Sequence, residues 1–216
     1  MLKKVGYGIF YTLVAIISIS AVKYFFLKEF LLNLDVPLLE KLYQSPISLY
    51  LHTSCAAVAL AIGALQMNQR LRTKYLTAHR FLGRAYVIAV IVSACAGLFM
   101  ATKSEGGMFA HIGFSLLAVI WGSTVCIAYT RIRHKNIIAH RYWMIISYAL
   151  TCAGITLRLH QLILAELFNI EDIQVQFLIL AWSSWVPNLL IALLYLEKKK
   201  AKNHISPTKN VDPLRI

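Results

Sequence analysis

Acidic residues are scarce in this sequence. Nine Asp and Glu stand against 22 Lys and Arg, and the four charged types together make up only 14% of 216 residues. A water-soluble domain carries about a quarter of its residues charged, so a soluble surface cannot be covered here. Catalytic and nucleotide-binding signatures are also missing: the sequence has no GxGxxG, Walker loop, HExxH or GxSxG. No acidic pair lies inside an apolar block, which argues against a proton-driven pump and an intramembrane aspartyl protease. The four cysteines (Cys55, Cys95, Cys126 and Cys152) fall one each in four consecutive apolar blocks. They form no CxxC and no disulfide framework, and serve as small buried hydrophobes.

Apolar sequence is what the chain has in abundance: 59% of residues are hydrophobic and the mean hydropathy is +0.64. It comes in blocks of about twenty, the length needed to cross ~30 Å of hydrocarbon. The expected fold is all-α, an integral membrane protein with six transmembrane helices. The spans fall roughly at 5–27, 47–67, 82–102, 109–130, 142–164 and 177–196. The first is longer than the apolar core of a signal peptide and is read as an anchor. The segment FLKEFLLNLDVPLLEKLYQSP between the first two spans is amphipathic and is expected along the membrane surface. Residues 1–196 form one membrane domain, and 197–216 a basic, polar, poorly ordered tail.

The formal charge of +13 is distributed in short stretches between the apolar blocks, a loop pattern that excludes nucleic acid as partner and points to the lipid bilayer. Arg70, Arg72, Lys74 and Arg80 stand in one loop, Arg131, Arg133, Lys135 and Arg141 in another, and Lys198–Lys200 after the last span. Of the intervening loops, TKSEGG carries one lysine and one glutamate, and ELFNIEDIQ three acids and no base. Six spans with both termini cytoplasmic, in a bacterial inner membrane, satisfy this asymmetry.

The middle of the chain repeats itself. His52 and His111 each open a span and are each followed eleven residues later by a glycine, Gly63 or Gly122. The triplets RLR (70–72) and RIR (131–133) follow, and seven residues beyond each comes Ala-His-Arg, at His79 and His140. Spans two to five, over 47–164, are therefore expected as a central four-helix bundle of two parallel-repeat hairpins. Such a bundle brings His52 toward His111 at one level and His79 toward His140 at the other, ~25–30 Å apart. Facing histidines across an apolar core can be the axial ligands of a b-type haem, with up to two haems per chain. Gly63 and Gly122 lie about 20° from the histidine direction and would leave room for a porphyrin. Arg80, Arg84, Arg141 and, at the far end, Arg158 can pair with propionates.

Other features are less specific. His134 and His204 are expected in solvent, and Arg158 and His160 near the end of span five. WSSWVPN in span six reads as a kinked helix with aromatic packing, and Tyr86, Trp121 and Tyr148 as core of the central spans. Histidine and arginine also gather at membrane interfaces, so each His-Arg pair taken alone is explained by headgroup contact.

Two resemblances attach to these residues. The block from LHTSCAAVALAIGALQ to ALTCAGITLRL, with HRFLGRAY and HRYWM inside it, resembles a bacterial membrane family, domain of unknown function 2306, over about residues 48 to 162. That resemblance implies a membrane location and no particular activity. The histidine arrangement is similar to that of the ascorbate-reducible di-haem transmembrane cytochromes b. It implies an outer haem on His52 and His111, an inner one on His79 and His140, and electron transfer across the membrane from a quinol or a small reductant. The short loops do not resemble that family's substrate sites. The competing reading is a haem-free transporter or lipid- and anion-binding protein that uses the His-Arg pairs. A scaffold subunit without a small-molecule site is the third.

Overall fold

The computed structural model describes residues 2–21 and 45–205. Every regular element among them is helical: α1 (Leu2–Ser20), α2 (Pro46–Gln66), α3 (Gln69–Lys74), α4 (Leu76–Ala101), α5 (Gly107–Arg133), α6 (Ile137–Thr151), α7 (Ala153–Glu166), α8 (Ile173–Ser183) and α9 (Val186–Ile205). Five segments are long and apolar enough to cross a membrane: α2, α4, α5, the α6–α7 pair and the α8–α9 pair. The first expected span is represented by α1, whose apolar part, Gly6–Ser20, is shorter. The chain is an all-helical, multi-pass membrane protein. The surface connector expected at 26–46 falls almost wholly outside the described residues.

Local chemistry sets the helix ends. Pro46 occupies the first turn of α2, where its missing N–H costs nothing. Asn68, Asn136 and Asp172 cap α3, α6 and α8 by accepting backbone N–H bonds from Arg70, Ala139 and Gln174. Arg131 and Arg133 lie in the last turn of α5, favourable for the negative end of its dipole. Gly106 opens α5 with φ +86, a left-handed backbone, and a Cβ there would stand 2.7 Å from the Leu178 nitrogen. Only glycine suits that turn.

Helix boundaries extend past the sequence expectation. α4 and α6 begin at Leu76 and Ile137, so His79 and His140 are each the fourth residue of a helix rather than residues of a loop. Between the first hairpin's spans the basic loop folds into α3. α9 continues through the start of the basic tail to Ile205, and 206–216 lie outside the described residues. The α8–α9 span breaks at Ser184–Trp185, just before Pro187, as WSSWVPN implied. The α6–α7 span breaks at Cys152, an irregularity the apolar pattern does not announce.

Helices α2, α4, α5 and α6 form a four-helix ring: α2 packs on α4, α4 on α5 and α5 on α6, with α6 closing back on α2. α1 lies against α2, α8 against α5 and α9 against α6. The ring's centre is a polar-tipped aromatic plug. Tyr86 is fully buried; its hydroxyl lies 3.0 Å from Ser147 Oγ and 2.8 Å from Thr151 Oγ1. Trp121 Nε1 donates to the same Thr151 oxygen at 2.9 Å, and Tyr148 Oη donates to the Leu60 carbonyl at 3.2 Å. Tyr86 and Ser147 are 61 residues apart, the spacing that also separates His79 from His140. Repeat-related positions therefore meet at the bundle axis, as two parallel hairpins require.

At Gly63 the space expected for a cofactor is taken by protein. A Cβ there would fall 2.2 Å from Tyr148 Cε2 and 3.0 Å from Tyr86 Cε2. Gly63→Ala is expected to force the Tyr148 ring away and weaken its bond to Leu60. The cost is that of overpacking a tight core, about 1–3 kcal/mol, seen as a lower thermal midpoint in detergent. Gly122→Ala, whose Cβ would meet only Ala94 Cβ at 3.4 Å, should move the midpoint far less.

Candidate functional site

On one side of the plug, at the end bearing the TKSEGG loop, the ring opens into a cavity of about 280 Å³. All four ring spans contribute to it. Small residues make the room: Ala56, Ala94, Gly97, Ala118, Ala153 and Gly154 form much of the wall, with Trp121 and Thr151 as its floor. Its charged or ionisable side chains are His52, Lys103 and Arg158, and among the described residues no acidic side chain lines it.

His52 is held by α4 in a defined posture. Its Nδ1 lies 3.0 Å from the Ser93 carbonyl, and Ser93 Oγ donates back to the His52 carbonyl at 3.0 Å. A carbonyl can only accept, so Nδ1 carries the hydrogen and Nε2 keeps its lone pair. Among the described residues nothing bonds that Nε2. Gly97 gives the ring its place, since a Cβ there would stand 2.8 Å from Nδ1. Arg158 donates one bond, Nη1 to the Gly154 carbonyl at 3.2 Å, and makes no ion pair among the described residues. Lys103 Nζ donates to Ser45 Oγ at 2.6 Å and lies 4.7 Å from the Phe99 ring centre.

His111 stands differently. It is on the cavity-facing side of α5, in line with Phe114, Ala118 and Trp121, but it is not part of the cavity wall. Its Nε2 donates to the Ser104 carbonyl at 2.8 Å. The repeat supplies a reason. At the 61-residue offset, Ser93 and Gly97, which seat His52, correspond to Gly154 and Arg158. His111 thus has a glycine where His52 has a hydroxyl, and a long cation where His52 has a gap.

At the other, basic end the charge of His140 bears on His79. His140 Nδ1 donates to the Ala128 carbonyl at 2.8 Å. The charges of Arg72, Arg80 and Arg141 also bear on His79. Arg84 is not among them and is exposed, as is Arg80. Arg72 lies outside the spans. Desolvation first, and then the nearby positive charge of Arg141, hold its pKa below the ordinary arginine value. His160 is occupied at the far end, its Nδ1 3.1 Å from Ser183 Oγ, and His134 is exposed. The four cysteines are free thiols, but none is fully buried as expected: Cys95 and Cys126 are exposed on the outer faces of their helices, and Cys55 and Cys152 are half-buried. No group of three or more His, Cys, Asp or Glu is placed to hold a bare metal ion among the described residues.

Sequence reasoning reached His52 and Arg158 but missed Ser93 and Lys103. Ser93 was legible only as the first of the small residues in SACAG, and Lys103 entered as a loop charge that fixed orientation.

A family model described as a predicted membrane protein (DUF2306) matches residues 49–196. No curated protein and no solved structure matches the chain.

Proposed function

Because the chain belongs to the family described as predicted membrane protein (DUF2306), a description that names no chemistry, we propose its function from its own residues: it is a membrane haem protein that carries electrons. The carrying observation is the donor set of the cavity. An imidazole with a free Nε2 lone pair, walls of small and apolar residues, and two cations without an acid suit one occupant well. A b-type haem has an apolar macrocycle, an iron that takes a histidine nitrogen, and two carboxylates.

His52 would hold the iron, its ring oriented by the bond from Nδ1 to the Ser93 carbonyl, as an acceptor on the far nitrogen orients a ligating histidine. Arg158 and Lys103 would pair with the carboxylates. When bound, the haem supplies one-electron redox chemistry. The protein's part is to exclude water. The plug of Tyr86, Trp121 and Tyr148 closes the cavity from the opposite end, and each of these polar tips has a hydrogen-bond partner, so none draws water in. His111 would be the second residue to hold the iron, with its ring turned away from the Ser104 carbonyl that it bonds here. On this reading the chain lies in a bacterial inner membrane with six spans, and the positive charge of the loops supports a cytoplasmic basic end with both termini on that side. A quinol, a small reductant or a partner domain would exchange electrons with the protein.

The test is a pyridine haemochrome assay on protein expressed with adequate haem and purified in mild detergent. About one b-type haem per chain is expected, and no sharp b-type absorbance would end this reading. His111→Ala should retain the haem but shift its spectrum from low-spin to high-spin, because the second nitrogen is lost. An organic anion without iron is the competing occupant, favoured by the bond that His111 makes to Ser104. In that case His52→Gln binds as well as wild type, while Arg158→Gln does not.

A further inference from the structure

The basic end of the bundle holds a second set of groups, among them His79 and Arg141 of the expected inner-haem set, that a haem held by His52 does not use. Gln66 closes α2 and is only 8% exposed. Its Nε2 donates to the His79 carbonyl at 3.0 Å, but its Oε1 is buried with no partner. Arg72 Nε and His79 Nδ1 are likewise buried and unbonded among the described residues. The charge of Arg141 bears on Arg72, and the charges of both bear on His79. The loops here, 67–76 and 131–141, contain no acid. Arg72 is half-buried, but its Nε is shut off from solvent without an acceptor and, among the described residues, no carboxylate pairs with it; an anion would complete it.

We propose that Gln66, Arg72, His79 and Arg141 form a binding site for a phosphate group at the cytoplasmic face of the membrane. Phosphate oxygens accept from Arg72 Nε and from His79 Nδ1 in its protonated tautomer, with Arg141 supplying further charge. Gln66 Oε1 is an acceptor and needs a donor, so the ligand also presents a hydroxyl near its phosphate. A monohydrogen phosphate does so, as does a phosphoglycerol headgroup. Both are one chemistry from two sources: a solute, or an anionic lipid of the inner leaflet, where basic residues are already drawn. The site does not depend on the haem, and its test leaves the haem content untouched.

The full-length protein is reconstituted in nanodiscs of phosphatidylcholine, with or without phosphatidylglycerol, and its thermal midpoint and retained lipid are measured. Inorganic phosphate is titrated into the phosphatidylcholine discs. A rise in midpoint with phosphatidylglycerol, with the lipid retained through purification, assigns the site to a headgroup. A rise with inorganic phosphate alone assigns it to a solute. No response to either overturns the proposal on the wild-type protein alone. Arg72→Gln should weaken the responding ligand about tenfold or more, the effect of removing a charge-assisted hydrogen bond. Arg70→Gln removes the same charge from the same short helix at an exposed position and should stay within about twofold. Equal losses in the two variants would mean general surface attraction and would also overturn the site.

Discussion

His52→Ala is expected to purify without haem, falling from about one b-type haem per chain to background absorbance. The size of the effect follows from how few ligands the cavity offers. His52 is the one wall residue with an unbonded imidazole nitrogen, and its ring is fixed from both sides by Ser93 and Gly97. Its removal leaves apolar contact, two carboxylate partners and His111, whose ring is off the cavity wall and bonded to the Ser104 carbonyl, and these would retain a porphyrin far less firmly than the iron bond to His52. Ser93→Ala is the graded companion. The backbone carbonyl still accepts from Nδ1, while the Oγ bond to the His52 carbonyl is lost, so partial haem content is expected. Full haem in His52→Ala, measured against folded protein, would show that the iron is held elsewhere.

Thr151→Val should destabilise the bundle more than any other conservative change near the axis. Valine nearly matches threonine in shape but offers no oxygen. Trp121 Nε1 then loses its hydrogen-bond acceptor in a buried site, and Tyr86 is left with Ser147 alone. A buried donor without a partner costs about 1–3 kcal/mol, or about 2–4 °C of thermal midpoint per kcal/mol for a chain of this size. Ser147→Ala makes the contrast, because Tyr86 keeps Thr151 as its partner. Similar midpoints for the two variants in detergent would refute the hub role assigned to Thr151.

Much of the architecture was legible in the sequence because bilayer thickness imposes its own period on apolar residues. The spans, the free cysteines inside them and the kink at Pro187 all follow from that pattern. The repeat of His52, Gly63 and His79 at His111, Gly122 and His140 likewise indicated two hairpins, and Tyr86 meeting Ser147 bears this out. Side-chain direction was not legible. Gly63 reads the same whether it makes room for a cofactor or for Tyr148, and His111 the same whether it faces a cavity or its own loop carbonyl. Those outcomes depend on the residue across the interface, which spacing along one helix does not report. The α4 and α6 starts were placed too late because His79, Arg80, His140 and Arg141 are polar. A helix can begin in the headgroup region, before hydrophobicity rises.

The contact between Tyr86 and Ser147 also limits how alike the two halves of this chain can be. A side chain on a twofold axis faces its own image, and two tyrosine rings cannot share the volume that one occupies. Two identical hairpins associating as separate chains would bring tyrosine against tyrosine or serine against serine, with a collision in the first case and a void in the second. Joining the copies in one polypeptide lets each take a different residue there. The same freedom gives one flank of the chamber a glycine, Gly97, and the other an arginine, Arg158. The site is lopsided for that reason, and no symmetric assembly of half-molecules could reproduce it.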